Sequence, residues 1–159
     1  MPHTDLVIKE LEIVHEGTID FKDFLKFMKG FMEKYDYDIE EKSYETKTKN
    51  GLKNTTIKWV CDRKIDDYNK ILIKPKILLN DYKEGSVDGR RVTQGELIIK
   101  IKVEIERDYD EEWKGLPIIK FFRSIYEKYI SESKQAKVDS ESKDIVNKLR
   151  TEINQYFGE

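Results

Sequence analysis

The side chains of this sequence that could do acid–base, nucleophilic or metal chemistry are few: two histidines, one cysteine and several short carboxylate runs. His15 shares a strand face with Leu11 and Ile13, so it is expected as a core imidazole held by a hydrogen bond rather than as a base or ligand. His3 has no second histidine at helical spacing, the arrangement a zinc-binding helix needs. A lone cysteine, Cys61, forbids an internal disulfide and a thiolate zinc cage. It follows Trp59 and Val60 in an alternating run and reads as a buried small hydrophobe. Neither a glycine-rich phosphate loop nor a nucleophile elbow occurs.

The carboxylates have structural readings as well. Asp108, Asp110, Glu111 and Glu112 precede Pro117, where a helix dipole favours negative charge, and the DYDEE spacing does not match a calcium loop. Asp62, Asp66 and Asp67 suit a turn between strands. The sequence therefore assigns no catalytic residue, no metal site and no cofactor, and an enzyme is the less favoured class.

Binding chemistry is better represented. Phe24, Phe27, Met28 and Phe31 give one segment more bulk than a single helix face needs. Together with Trp59 from the strand region and Trp113, Phe121, Phe122 and Tyr126 from the last third, they are the candidates for lining a cavity between sheet and helices. Lys74, Lys76, Lys100 and Lys102 form a second set, as candidates for holding an anion. One extra residue in the incoming arm of their hairpin would set Lys76 against Lys100 and Lys74 against Lys102, whereas one in the outgoing arm would set Lys74 against Glu104. Like charges directly opposite cost up to about 1 kcal/mol, so a lysine ladder is either an edge-protection device or a place for an anion. A solvated face is the default expectation, and few aromatics interleave there.

The elements that must position these groups follow from length and periodicity. With 159 residues, 38% hydrophobic and 39% charged, the chain is expected to form a single domain over 1–159. Its 30 basic and 32 acidic residues give a net charge of −2, which argues against a polycation or a disordered chain. Residues 41–106 nevertheless hold 15 basic against 11 acidic side chains, so the strand-rich middle is the basic part. No apolar run approaches the roughly 20 residues of a membrane span. The opening MPHTDLVIKE lacks the features of an export signal, and a reducing cytoplasmic setting is the expectation.

A period of two predicts a strand over 7–18, and Asp20 then caps an amphipathic helix carrying Phe21, Phe24, Leu25, Met28, Phe31, Met32 and Tyr35. Gly30 inside it costs about 1 kcal/mol against alanine unless something packs closely there. From 39 to 106 the period returns to two. Asn50-Gly51 predicts a hairpin pairing Thr46 with Thr55, Tyr44 with Ile57 and Lys42 with Trp59. Asp88-Gly89 predicts a second hairpin, whose rows Ile71, Ile73, Ile77, Leu79 and Leu97, Ile99, Ile101, Val103, Ile105 share a face only with a β-bulge, expected at Gly95 or Gly85. Pro75 should place its stretch at an edge, or point its nitrogen away from a neighbour. Helical spacing resumes near Pro117, the polar SESKQAK stretch suggests a break, and a last helix is expected over roughly 140–157.

The expected fold is α+β: a curled antiparallel sheet of five or six strands, with one helix in the N-terminal half and two C-terminal helices packed on one face. In element order and length this resembles the helix-grip arrangement of START and Bet v 1-like proteins, in which a sheet wraps a C-terminal helix and often leaves a hydrophobic cavity. The sequence departs from it in having one helix after the first strand. Separately, EEWKGLPIIKFFRSIYEKYI, through Trp113, Gly115, Pro117, Arg123, Tyr126 and Tyr129, resembles a tract of small uncharacterised archaeal proteins and implies no activity. The resemblance in topology implies a non-enzymatic binding module for a hydrophobic or lipid-like small molecule. The alternatives are a protein-interaction subunit or homodimer using the C-terminal helices, and an RNA- or ribosome-associated factor using the lysine-rich face, with nucleic acid the less favoured partner.

Overall fold

Alternation of apolar and polar residues produces five strands, and the two three- and four-residue periodic segments on either side of the long hairpins produce helices. The computed structural model describes residues 3–66, 69–107 and 131–158. Its elements are β1 (His3–Ile19), α1 (Phe21–Lys34), β2 (Asp38–Lys49), β3 (Leu52–Lys64), β4 (Asn69–Val87), β5 (Arg90–Arg107) and α2 (Ser131–Tyr156). The strands form one antiparallel sheet in the order β1-β5-β4-β3-β2, so the first strand lies beside the last and the other four make a meander. Among the described residues the fold is α+β with five strands. The Pro117 segment, and with it Asp108 to Glu112, Trp113, Phe121, Phe122 and Tyr126, lies outside the described residues.

Both hairpin turns have the chemistry their residues require. Asn50 and Gly51 sit at φ 54° and 78°, Asp88 and Gly89 at 53° and 77°, as a type I′ turn demands. Around the first turn Thr46 pairs with Thr55 and Tyr44 with Ile57, but Glu41 rather than Lys42 faces Trp59. An irregularity between Glu41 and Ser43 shifts the register there, and it lets Trp59 Nε1 donate to Glu41 Oε1 at 3.3 Å.

The second hairpin carries its extra residue in the incoming arm, at Asp81–Tyr82 rather than at Gly85, which pairs in register with Val92. Asn80 faces Glu96 and Lys83 faces Gln94, leaving Gly95 alone across from the bulge. The same displacement appears against β3, between the pairs Thr55–Leu79 and Lys53–Tyr82. Asp81 takes a left-handed conformation (φ 49°), which aspartate tolerates, and its amide donates to Asn54 Oδ1 at 3.0 Å. Pro75 is not at an edge: β4 is an interior strand, where Pro75 faces Ile101. The β3–β4 ladder lapses between Lys58–Lys76 and Cys61–Ile73 without losing register, which accommodates the missing donor.

The helices follow their stripes. Asp20 caps α1 by accepting from the Asp23 amide at 3.1 Å. Nothing lies within 4 Å of a side chain built on Gly30. SESKQAK is helical, not a break, because α2 begins at Ser131. Its residues are good helix formers apart from serine, and a polar run signals a solvated helix as readily as a turn.

Phe24, Met28, Phe31 and Met32 of α1 and Val138, Ile145, Val146, Leu149 and Ile153 of α2 join the apolar rows of β3, β4 and β5 in one buried cluster. His15 of β1 stacks on Phe157 with ring centroids 4.0 Å apart. Burial pushes the Cys61 thiol up to about 12, with Asp62 adding to the effect. It likewise pushes the Tyr37 hydroxyl up to about 12, with Arg63 pulling against it. The unfolded chain releases these protons near 9 and 10. Above those values it binds fewer protons than the folded protein, so stability is present at neutral pH and is lost as pH rises towards about 12. Urea midpoints should therefore fall steadily above about pH 9. In a Cys61→Val variant the decline should begin about one unit later.

Candidate functional site

The clearest concavity lies where the first turns of α1 overhang the β4–β5 hairpin. It is a cleft of about 490 Å³ lined by Asp20, Phe21, Lys22, Asp23, Leu25 and Lys26 of the cap and α1, Tyr44 of β2, Tyr82 and Glu84 of β4, and Arg90, Arg91, Val92 and Thr93 of β5. Its position follows from local sequence. The Asp20 cap starts the helix above the end of the sheet, and the bulge at Asp81–Tyr82 re-phases β4 so that Tyr82 faces inward, where it is 8% exposed. The Tyr82 hydroxyl is 2.8 Å from Thr55 Oγ1, which is 2.9 Å from Thr46 Oγ1, so hydroxyls of three strands fix this wall.

Electrostatics divides the lining. Every carboxylate in it is engaged: Asp20 Oδ2 accepts from Arg90 Nη2 at 3.2 Å, Asp23 Oδ2 accepts from the Tyr156 hydroxyl at 2.7 Å, and Glu84 lies 3.7 Å from Lys53. Burial and the Asp23 hydrogen bond both hold the Tyr156 proton on, well above the usual phenol range. Burial also raises Tyr44, with Tyr82, Glu41 and Glu84 adding to it. Lys22, Lys26 and Arg91 make no ion pair among the described residues. The Tyr156 hydroxyl is neutral and leaves Asp23 its negative charge, so the cleft offers apolar surface from Phe21, Leu25, Tyr44, Tyr82 and Val92 beside an excess of positive over negative charge. Comparison with family models, with curated proteins and with solved structures finds no match.

The sequence-derived candidates fall elsewhere. Phe24, Met28, Phe31 and Trp59 are brought together, but in the buried cluster, and Phe27 packs partly buried against it. None of them lines the cleft. Lys29 Nζ lies 5.8 Å from the Trp59 ring. Trp113, Phe121, Phe122 and Tyr126 lie outside the described residues. The lining residues that sequence reasoning missed, notably Tyr82 and Arg91, depend on where the bulge falls. Gly95, which has no room for a Cβ against Tyr82, is the available signal.

On the outer face, Lys76 does face Lys100 and Lys74 does face Lys102. The Lys74 ammonium, however, turns diagonally to Glu104 Oε2 at 2.7 Å, which neutralises it. Lys58, absent from the sequence reading, extends the ladder because β3 pairs it with Lys76. Among the described residues no group of three histidine, cysteine or carboxylate side chains is arranged to hold a metal, and no helix is long and apolar enough to cross a membrane.

Proposed function

We propose that the chain is a non-enzymatic binding module of helix-grip type, taking a hydrophobic, lipid-like ligand with an anionic end in the cleft between α1 and the sheet. The observation that carries this reading is the division of the cleft lining: its carboxylates are all engaged, while Lys22, Lys26 and Arg91 are left to an incoming anion beside the apolar surface of Phe21, Leu25 and Val92. A volume of about 490 Å³ falls in the range of small-molecule sites. Support for the helix-grip reading comes from β1 lying beside β5 and from α2 joining the same buried cluster as the inner sheet face.

Isothermal titration with dodecanoate and with dodecanol tests the proposal. Dodecanoate should bind about tenfold more tightly than dodecanol. Arg91→Glu should remove that preference, and Leu25→Glu or Val92→Glu should weaken both ligands. Absence of binding, or binding indifferent to all three substitutions in folded variants, would sink the assignment.

A further inference from the structure

The outer face of the sheet holds a feature unrelated to the cleft. Lys58, Lys76 and Lys100 stand directly opposite one another on β3, β4 and β5, with Lys102 beside Lys100 in the next position on that face. Strands lie about 4.8 Å apart, so the three backbones span about 10 Å across the sheet. None of the four lysines makes an ion pair among the described residues, and Glu12, opposite Lys100 on β1, makes none with it. Lys58 and Lys102 are exposed, and Lys76 and Lys100 partly so.

This belt has carboxylates on both sides along the strands. Glu96 and Glu16 pair on one side, and Glu104 and Glu106 follow on the other. A planar anionic membrane would meet those carboxylates together with the lysines, whereas a polyanion lying across the strands along the lysine row meets one carboxylate of that row, Glu12 at its β1 end. Beside the belt stand Val14, Ile98, Leu78 and Thr56, so among the described residues of the adjoining row no aromatic ring is placed to stack an unpaired base. We infer that the belt of Lys58, Lys76, Lys100 and Lys102 docks the phosphodiester backbone of a duplex nucleic acid, without reading its sequence.

Counterion release sets the expected size of the effect. Contacts to three or four phosphates predict that log K falls with log salt at a slope of about −3, a loss of roughly 40- to 150-fold between about 50 and 200 mM salt. Fluorescence anisotropy with a 16-base-pair duplex of arbitrary sequence should show that slope and no preference for a second, unrelated sequence. Lys76→Gln and Lys100→Gln should each reduce the slope by about 1. A variant with all four lysines changed to glutamine should lose binding while melting no lower than the parent, because mutual repulsion is removed. Three outcomes would overturn the inference: no duplex binding at low salt, a slope unchanged in the four-lysine variant, or retention on phosphatidylglycerol vesicles through these lysines with none on the duplex. Leu25→Glu should leave duplex binding intact, which separates this surface from the cleft.

Discussion

Gly95→Ala should destabilise the protein by about 3 kcal/mol, the upper part of the range for forcing atoms into a packed site. A Cβ at this position would stand 2.7 Å from the Tyr82 Cβ, 2.9 Å from the Asn80 carbonyl oxygen and 3.0 Å from the Tyr82 Cα. These are backbone or near-backbone atoms of the strand that carries the bulge, so relief requires moving β4 rather than turning a flexible side chain. Moving it would disturb the Tyr82–Thr55–Thr46 hydroxyl chain and one wall of the cleft. Gly30→Ala supplies the contrast. Nothing lies within 4 Å of its new methyl, and α1 should gain up to about 1 kcal/mol. Equal effects at the two glycines in urea denaturation would show that close approach at the bulge is not what Gly95 provides.

Phe24→Ala should cost about 3–5 kcal/mol, as for a fully buried aromatic. The ring is 0% exposed and is the meeting point of the two helices. Its centroid lies 6.2 Å from Phe27, 5.6 Å from Tyr156 and 5.4 Å from Phe157. Truncation leaves a cavity and removes favourable edge and stacked contacts together. The partly buried Phe27, stacked on Tyr156 at 4.8 Å, should cost appreciably less when changed to alanine. Chemical denaturation of the two variants decides the matter. A Phe24→Ala loss near 1 kcal/mol would mean that the helices are joined mainly at their surface, through Lys34–Glu152 at 3.3 Å and Asp23–Tyr156.

The fold was more legible than the site, for physical reasons. Turn chemistry at Asn50-Gly51 and Asp88-Gly89 and alternation along β3 to β5 are local signals, and they located the meander. The rows of Ile, Leu and Val residues even required a bulge. Its position escaped, because what selects it is the lack of room opposite Gly95, a contact between residues of different strands. The irregularity at Glu41–Ser43 is of the same kind, and the side chain it brings to Trp59 belongs to a neighbouring strand. SESKQAK misled because polarity distinguishes buried from solvated, not helix from turn. The aromatic residues of α1 were conspicuous by bulk and prove to fill the interior, whereas the cleft draws on ordinary side chains such as Leu25, Val92 and Arg91 that have no pattern of their own. The lysine ladder shows the same limit: Lys58 joins it through the β3–β4 register alone.

The adjacency of β1 and β5 bears on how this chain is made. Ile19 pairs with Thr93 and His3 with Arg107, so a ribosome must deliver β5 before β1 finds its partner. The meander can zip up hairpin by hairpin during synthesis, while β1 waits with its backbone groups bonded only to water. Sheet closure is then the late, high-contact-order event of biogenesis, and the interval before it is when a nascent chain would benefit most from a chaperone.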